Sequence, residues 1–212
     1  MELQAALDFF STKDALALMD KIHSYVDIAE IGTPLMVSEG FNAVSIMKEK
    51  YPNIKVLADM KLMDGGKPIA AHALDAGADI VTVLGITNNS TIAGAVEAAH
   101  ERNKAVCVDT IGIESAILGE RTRELEEMGV DYIAVHTAHD MLHCINTPIE
   151  ALKVIKNNLR TGRCKSVISG GISPESIPEI AKVGPDVVIV GSSLTKAKDP
   201  VAVARSLRSY IL

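Results

Sequence analysis

One short stretch of the sequence combines the residue types that acid–base and metal chemistry need. The apolar run 54–58 is followed by Asp59, Lys61 and Asp64, and then by the glycine pair 65–66. If residues 54–58 form a strand, side-chain alternation places Asp59 and Lys61 on the same side, and Asp64 lies on the following loop. Carboxylates and an ammonium held together compensate one another's burial and can bind a metal ion or an anionic intermediate. The stretch therefore predicts a reaction centre, with an exposed row of ion pairs as the alternative.

The composition indicates one folded domain with neither a membrane nor a nucleic acid as its partner. The 212 residues are 48% hydrophobic and 23% charged, enough for one substantial core, so we predict a single domain over residues 1–212. A net charge of -6, the absence of tryptophan and 3% aromatic residues argue against binding of nucleic acid. No apolar segment is long enough for a signal-peptide core or a membrane span, so we expect a cytoplasmic protein.

Short runs of β-branched residues alternate with segments of helical apolar spacing along the chain. Gly77, Gly129 and Gly184 stand just before three of these runs, where a helix ends in a left-handed conformation. Near-continuous apolar strands joined by helices predict a parallel sheet, and eight units of this length predict a closed (β/α)8 TIM barrel. A doubly wound open sheet is the alternative. The predicted strands are 3–7, 26–31, 54–58, 80–83, 105–108, 132–135, 166–168 and 187–190.

Ionisable residues stand at the carboxyl ends of five predicted strands, which is where the chemistry of such barrels is found. Any one of them could be a solvated surface group, but together they favour a reaction site. The four carboxylates among them are hard oxygen donors suited to Mg²⁺, whereas zinc would need more nitrogen or sulfur ligands. His139 remains a further candidate on the loop after the sixth strand. The strand-end residues are Asp8, Glu30, Asp59, Lys61, Asp109 and His136.

The last two strands end in glycine and serine residues instead. Ser169-Gly170-Gly171-Ile172-Ser173 follows the seventh strand and Gly191-Ser192-Ser193 follows the eighth. Glycine lets backbone N–H groups approach an anion closely, and we expect the next helices to begin near Ser173 and after Ser193, with their positive ends towards it. The loops after strands 7 and 8 bind phosphate in many barrels, so these loops predict a phosphate site.

These strand ends resemble the orotidine 5'-monophosphate decarboxylase suprafamily, and within it the 3-hexulose-6-phosphate synthase family. The resemblance extends over nearly the whole chain. Its most specific element is Asp-x-Lys-x-x-Asp at 59–64, since the glycines alone would not identify the family. The other matching segments are 6–8, 30–34, 83–85, 108–109, 135–137, 169–172 and 190–191.

The resemblance implies ligands for a metal ion and for a phosphate group. Glu30 and Asp59 would hold Mg²⁺ as the cofactor. The backbone of Gly171, Gly191 and Ser192, next to Gly170, would hold the phosphate of a sugar-phosphate substrate. These assignments come from the family resemblance and agree with the oxygen donors and the glycine loops described above.

The resemblance also implies roles in the reaction itself. Asp8, Lys61 and Asp64 would contact substrate oxygens and one another, His136 would transfer the proton, and Asp109 is a further catalytic candidate. In this suprafamily the second aspartate of the motif reaches across a dimer interface. Asp64 would then serve the partner subunit's site, and the active form would be a homodimer.

The activity implied is a magnesium-dependent aldol addition, in which D-ribulose 5-phosphate loses a proton from C1 and the enediolate adds formaldehyde to give D-arabino-3-hexulose 6-phosphate. The related 3-keto-L-gulonate-6-phosphate decarboxylases have glutamate where Asp109 stands and arginine where His139 and Ser192 stand, so the sequence favours the synthase. A non-catalytic sugar-phosphate binder is a further alternative. A Schiff-base role for Lys61 is disfavoured, because the flanking carboxylates keep its amine protonated.

Overall fold

In the computed structural model, which describes residues 1–137 and 148–211, eight parallel strands close into a barrel in sequence order. The predicted (β/α)8 barrel is confirmed, and the open doubly wound sheet is excluded. The strands are Glu2–Leu7 (β1), Ile28–Ile31 (β2), Lys55–Leu62 (β3), Ile80–Leu84 (β4), Ala105–Asp109 (β5), Tyr132–His136 (β6), Lys165–Ser169 (β7) and Val187–Val190 (β8). His139 lies outside the described residues.

Helices surround the barrel and are joined to the strands by short loops. The described helices are Thr12–Ile22 (α1), Thr33–Glu39 (α2), Phe41–Lys50 (α3), Gly66–Asp75 (α4), Asn89–His100 (α5), Leu118–Glu127 (α6), Ile149–Asn158 (α7), Ile177–Val183 (α8), Ser192–Thr195 (α9) and Pro200–Arg208 (α10). A large apolar core fills the space between these helices and the sheet. None of the helices in the described part of the chain is long and apolar enough to cross a membrane.

The barrel interior is apolar in its middle and polar at the carboxyl ends of the strands. Its buried apolar layer consists of Ile28, Leu57, Ile80, Cys107, Tyr132, Ala134, Val167 and Val187. Two residues further along six of these strands the side chain is polar, because alternation returns each strand to the same face. These polar residues are Glu30, Asp59, Thr82, Asp109, His136 and Ser169. The packing of the interior therefore delivers charged groups to one end of the barrel.

Strand β3 is longer than predicted and contains a bulge. It continues through Asp59 and Lys61 to Leu62 instead of ending at Ala58. Its pairing with β4 shifts register between Ala58 and Leu62, and Lys61 has φ 45°, a left-handed conformation that is rare for a residue with a side chain. The bulge lets the strand continue while it turns the two charged residues towards the barrel end.

The glycine pair after Asp64 is required by the local backbone and by helix packing. Gly65 has φ 65°, and it immediately precedes α4. A Cβ atom at Gly66 would lie 1.9 Å from the carbonyl oxygen of Thr91 on α5, so only glycine allows this approach of α4 to α5. The two glycines thus fix where α4 begins and where the loop carrying Asp64 leaves the barrel.

Four aspartates form a repeated contact at the opposite, amino-terminal end of the barrel. Each precedes an even-numbered strand, and its carboxylate accepts a hydrogen bond from a backbone N–H of the preceding odd-numbered strand. We call these contacts the aspartate clamps; they join Asp27 to Leu3, Asp79 to Val56, Asp131 to Val106 and Asp186 to Ser166, at 2.8–2.9 Å. Gly77, Gly129 and Gly184, two residues before three of the clamp aspartates, have the predicted positive φ values.

Replacing Asp79 with asparagine is expected to lower the free energy of unfolding by about 1–3 kcal/mol at pH 7. The carboxylate accepts hydrogen bonds from Lys48 and Lys104 as well as Val56. Burial acts to raise the pKa of Asp79, but these bonds outweigh it and hold the pKa below 3.8. The charge of Asp79 therefore adds to the free energy of unfolding at neutral pH, and this contribution is lost as the pH falls through the lowered pKa.

Urea unfolding of Asp79→Asn and of the unaltered protein at pH 7 and pH 3 measures this effect. The difference in unfolding free energy should narrow at the lower pH, because the carboxylate of the unfolded chain takes up a proton there more readily than the native one, whose pKa is lowered. Glu49→Gln, at an exposed position of α3, is the matched control and should change stability by less than about 0.5 kcal/mol. A difference that stays constant between the two pH values would contradict the explanation by charge.

Candidate active site

The carboxyl ends of the strands surround a cavity of about 480 Å³. Most of the predicted site residues line it, namely Asp8, Asp59, Lys61, His136, Gly170, Gly171, Gly191 and Ser192. Glu30 and Asp109 are not part of the lining and are buried. Asp64 is exposed on the loop before α4 and does not line this cavity. The fold therefore brings the charged cluster and the glycine loops, which the sequence suggested separately, to one space.

Lys61 and Asp59 form an ion pair that two threonines hold in place. The Lys61 ammonium donates a hydrogen bond to Oδ2 of Asp59 and another, at 3.1 Å, to the hydroxyl of Thr33. Thr33 donates to Oδ2 of Asp59 at 2.6 Å, and Thr82 donates to Oδ1 at 2.9 Å. The prediction that Asp59 and Lys61 lie on the same side is confirmed, although a bulge, not regular alternation, brings them there.

The ion pair favours the charged form of both partners. Burial acts to raise the pKa of Asp59, but the Lys61 charge and the hydrogen bonds from Lys61, Thr33 and Thr82 outweigh it and lower the pKa. Burial acts to lower the pKa of Lys61, but the charges of Asp59, Asp109 and Glu30 outweigh it and raise the pKa. A protonated amine has no lone pair for carbonyl attack, which agrees with an electrostatic role for Lys61.

Glu30 is a buried carboxylate that needs a positive charge nearby. Its Oε2 accepts a hydrogen bond from Nε2 of Gln4 at 2.7 Å. Burial, followed by the neighbouring charge of Asp59, raises the pKa of Glu30 to about 8. A cation between the two carboxylates would relieve this repulsion, and Mg²⁺ is often held by only one or two carboxylates, with water and substrate oxygens as its other ligands. Glu30 and Asp59 therefore fit a magnesium ion.

The predicted carboxylates do not all converge on one metal position. Within the described residues no three or more His, Cys, Asp or Glu side chains are arranged to hold a metal ion. Asp109 bonds to its own loop and to a histidine. The described residues therefore do not gather all four strand-end carboxylates around one metal position.

His136 and Asp109 form a hydrogen-bonded pair beside the ion pair of Lys61 and Asp59. Oδ2 of Asp109 accepts a hydrogen bond from Nδ1 of His136 at 2.7 Å, and Oδ1 accepts from the backbone N–H of Ile111 at 2.8 Å. Asp109 is also 3.9 Å from the Lys61 ammonium. With Nδ1–H donated to Asp109, Nε2 of His136 keeps its lone pair for a proton from the cavity.

The two glycine loops lie side by side. Gly170 and Gly171 have φ values of 108° and 65°, which favour glycine. The hydroxyl of Ser193 donates a hydrogen bond to the carbonyl of Ile172 at 2.7 Å and so connects the loops. The prediction that a helix begins near Ser173 is wrong, because a turn occupies 173–176 and α8 begins at Ile177. Likewise α9 begins at Ser192, not after Ser193.

Asp8 lies between the start of α2 and the second glycine loop. A Cβ atom at Gly32 would be 2.2 Å from Oδ1 of Asp8, and one at Gly191 would be 3.4 Å from Oδ2. Glycine at position 32 thus lets the carboxylate approach the first turn of α2. Asp8 is thereby placed near both the charged cluster and the predicted phosphate position.

Four residues that contact the site or line the cavity were not among the predicted site residues. Gln4 bonds to Glu30, Thr33 and Thr82 bond to Asp59, and Lys196 lines the cavity beside the glycine loops. Gln4 and Thr82 could have been found in the sequence, because each is a polar residue within an otherwise apolar strand. Strand alternation places each of them on the same face as the interior residues two positions away. Lys196 directly follows the short helix α9, whose orientation the sequence does not reveal.

A closed barrel with a charged acid–base cluster and two glycine loops at the carboxyl ends of its strands defines a (β/α)8-barrel enzyme. Comparison with known proteins then gives the family. The model of the Orotidine 5'-phosphate decarboxylase / HUMPS family matches residues 1–207, and the chain belongs to this family.

The chain is similar over its full length to proteins named 3-hexulose-6-phosphate synthase. It is 43% identical to that of Staphylococcus aureus (strain MSSA476), with 100% of this chain and 99% of the relative covered. The crystal structure of the synthase from Salmonella typhimurium is 44% identical, with a TM-score of 0.95 and coverage of 100% and 98%. A 3-keto-L-gulonate-6-phosphate decarboxylase from Vibrio cholerae is 28% identical, with a TM-score of 0.86 and coverage of 99% and 96%.

Proposed function

We propose that this protein is a 3-hexulose-6-phosphate synthase, which joins D-ribulose 5-phosphate and formaldehyde into D-arabino-3-hexulose 6-phosphate. The observation that carries the proposal is the 43% identity over the whole chain to a relative with that name, against 28% to the decarboxylase. The cavity supports it, since one space contains an acid–base cluster and a place for a phosphate group. The substrates are thus a sugar phosphate and formaldehyde.

The phosphate group would bind to the glycine loops, at Gly171 and Gly191 with Gly170 and Ser192 beside them. Their backbone N–H groups and the adjacent Lys196 offer hydrogen bonds and positive charge to a dianion. This binding energy would fix the rest of the molecule, so that its carbonyl end lies among Asp59, Lys61 and His136 on the other side of the cavity.

The reaction would begin when Nε2 of His136 removes a proton from C1 of the ketose. Asp109 would hold the imidazole ring and stabilise the charge that it gains. The enediolate that remains is negatively charged, and the Lys61 ammonium lies where it can stabilise that charge. The C1 carbanion then forms a bond to the carbon of formaldehyde, whose oxygen takes up a proton and becomes a hydroxyl group.

Mg²⁺ is proposed as the cofactor, with Glu30 and Asp59 as its protein ligands. When bound, the ion would supply a second positive charge near the ketose oxygens. The pair of buried carboxylates supports this assignment, because the raised pKa of Glu30 reflects burial and repulsion that a cation would relieve. Asp8 is proposed to orient substrate hydroxyl groups between this pair and the phosphate.

The decarboxylase reaction on 3-keto-L-gulonate 6-phosphate is the second candidate, because the Vibrio cholerae relative has the same fold at 28% identity. The purified protein should be assayed with both substrates, and the two values of kcat/KM compared. We expect the formaldehyde reaction to be faster by at least about 100-fold. A higher kcat/KM for carbon dioxide release would assign the protein to the decarboxylases. Absence of turnover with either substrate would favour the sugar-phosphate binder.

Removal of divalent metal is expected to abolish formaldehyde-dependent consumption of D-ribulose 5-phosphate, and Mg²⁺ is expected to restore it. The physical reason is that the single positive charge of Lys61 cannot balance both the negative charge of the enediolate and the carboxylates of Glu30 and Asp59. Activity is measured after EDTA treatment, after addition of Mg²⁺, and after addition of Ca²⁺, a larger ion that serves as the control. Full activity in excess chelator would remove the metal from the proposal.

We propose that the protein acts as a homodimer, with Asp64 reaching the partner subunit's cavity. Asp64 is exposed outside its own cavity, and apolar side chains on neighbouring loops are also exposed. Met63, Ile86 and Ile117 are 54%, 49% and 51% exposed, and a partner subunit would cover these side chains.

A cytoplasmic location is proposed as well, because Cys107 and Cys164 are both free thiols.

A further inference from the structure

Thr82 contacts both charged residues of β3 through a single hydroxyl group. Its oxygen accepts a hydrogen bond from the backbone N–H of Lys61 at 2.8 Å and donates one to Oδ1 of Asp59 at 2.9 Å. The residue is 5% exposed, so both bonds form with little competition from water. Thr82 is also the one polar residue in the described strand β4.

The hydroxyl occupies the point where pairing between β3 and β4 is interrupted. Ala58 pairs with Val81 and Leu62 pairs with Val83, so three residues of β3 lie opposite Thr82 alone. Lys61 has φ 45° within this bulge. Its backbone N–H therefore bonds to a side chain of β4, where a regular strand would bond to a carbonyl group.

We propose that Thr82 is a positioning residue: its hydroxyl fixes the bulge of β3 in the shape that directs the Lys61 ammonium and the Asp59 carboxylate into the cavity. Thr33 also bonds to these two side chains, but Thr82 is the residue that bonds to the Lys61 backbone. The effect on turnover rests on the proposed function, whereas the effect on the backbone does not.

The test is Thr82→Val, which keeps the shape of the side chain and removes the hydroxyl group. Because a displacement of about 1 Å can cost about 100-fold in rate, kcat for the formaldehyde reaction is expected to fall about 10- to 100-fold. KM for D-ribulose 5-phosphate should change less than about threefold, since the phosphate loops follow other strands. Thr82→Ser restores the hydroxyl and should keep kcat within about fivefold of the unaltered protein.

A second measurement is independent of activity. Without the hydroxyl, the Lys61 amide loses its partner, and its hydrogen exchange should become at least about tenfold faster. Thr122→Val is the matched control, because Thr122 is buried and its hydroxyl donates to the Leu118 carbonyl on α6, away from the cavity. The control should leave kcat and the exchange of the Lys61 amide unchanged.

The outcomes separate this proposal from the proposed function. A lower kcat and faster exchange in Thr82→Val, both reversed in Thr82→Ser, support it. A folded Thr82→Val protein with unchanged kcat and unchanged exchange of the Lys61 amide overturns it, as does an equal loss of kcat in Thr82→Ser.

If the valine variant does not fold, Thr82→Cys decides, and a kcat equal to that of Thr82→Ser overturns the proposal. If the unaltered protein has no turnover, the proposed function fails, and amide exchange alone decides the role of Thr82.

Discussion

Lys61→Ala is expected to lower kcat for the formaldehyde reaction by about 10²–10³-fold, while the Kd for D-ribulose 5-phosphate rises less than about tenfold. The ammonium lies within hydrogen-bonding distance of Asp59 and 3.9 Å from Asp109, at the end of the cavity away from the glycine loops. Its charge is thus placed for the negative charge of the transition state, and the phosphate contacts that give affinity remain. Steady-state kinetics and calorimetric titration measure the two quantities separately.

The control for this substitution is Lys67→Ala. Lys67 lies on α4 and forms exposed ion pairs with Glu97 and Glu101, so its removal takes away one positive charge without touching the cavity. It should leave kcat and Kd nearly unchanged. If Lys61→Ala raised the Kd by about 10²–10³-fold and left kcat unchanged, Lys61 would be a substrate-binding group only. The proposed stabilisation of the enediolate would then be wrong.

His136→Gln is expected to slow exchange of the C1 proton of D-ribulose 5-phosphate with deuterated solvent by about 10²–10⁴-fold. This exchange needs no formaldehyde, and it reports removal of the proton alone. Glutamine can still donate a hydrogen bond to Asp109 but cannot take up a proton near neutral pH. Proton NMR of the substrate during incubation in deuterium oxide follows the reaction directly.

A similar histidine–aspartate pair at the other end of the barrel provides the control. Nε2 of His100 lies 3.2 Å from Oδ2 of Asp131, outside the cavity. His100→Gln should therefore leave the exchange rate unchanged. Asp109→Asn should give a smaller loss than His136→Gln, because it alters the orientation and charge of the base but keeps the imidazole. Undiminished exchange in His136→Gln would assign the base to another residue.

The architecture could be predicted from the sequence because each strand has its own apolar run and each βα unit ends at a turn. Gly77 and Gly184 show this most clearly, since their positive φ values mark where a helix stops before the next strand. The ends of elements were less predictable. β3 continues past Ala58 because a bulge accommodates Asp59 and Lys61 within the sheet, and no local pattern reveals a bulge.

The site residues were predictable where an ionisable residue closes a strand, as with Asp109 and His136. Their hydrogen bond was not, because it depends on the register between β5 and β6 and on rotamers. The bond from Gln4 to Glu30 was missed for a similar reason, since it joins residues on different strands. The start of α8 was misplaced because Ser173-Pro174-Glu175 resembles the first turn of a helix, but these residues form a separate turn.

The aspartate clamps have a consequence for how the chain can be divided. They join the strands in pairs, so residues 1–104 contain the two clamps of Asp27 and Asp79, and residues 105–211 contain those of Asp131 and Asp186. A break between α5 and β5 therefore severs none of them. The pairing of β4 with β5 and of β1 with β8, together with the ion pair of Arg208 and Asp27, would then hold two half-barrel fragments together. The loop between α5 and β5 is therefore the place at which the protein can be divided into two complementing polypeptides.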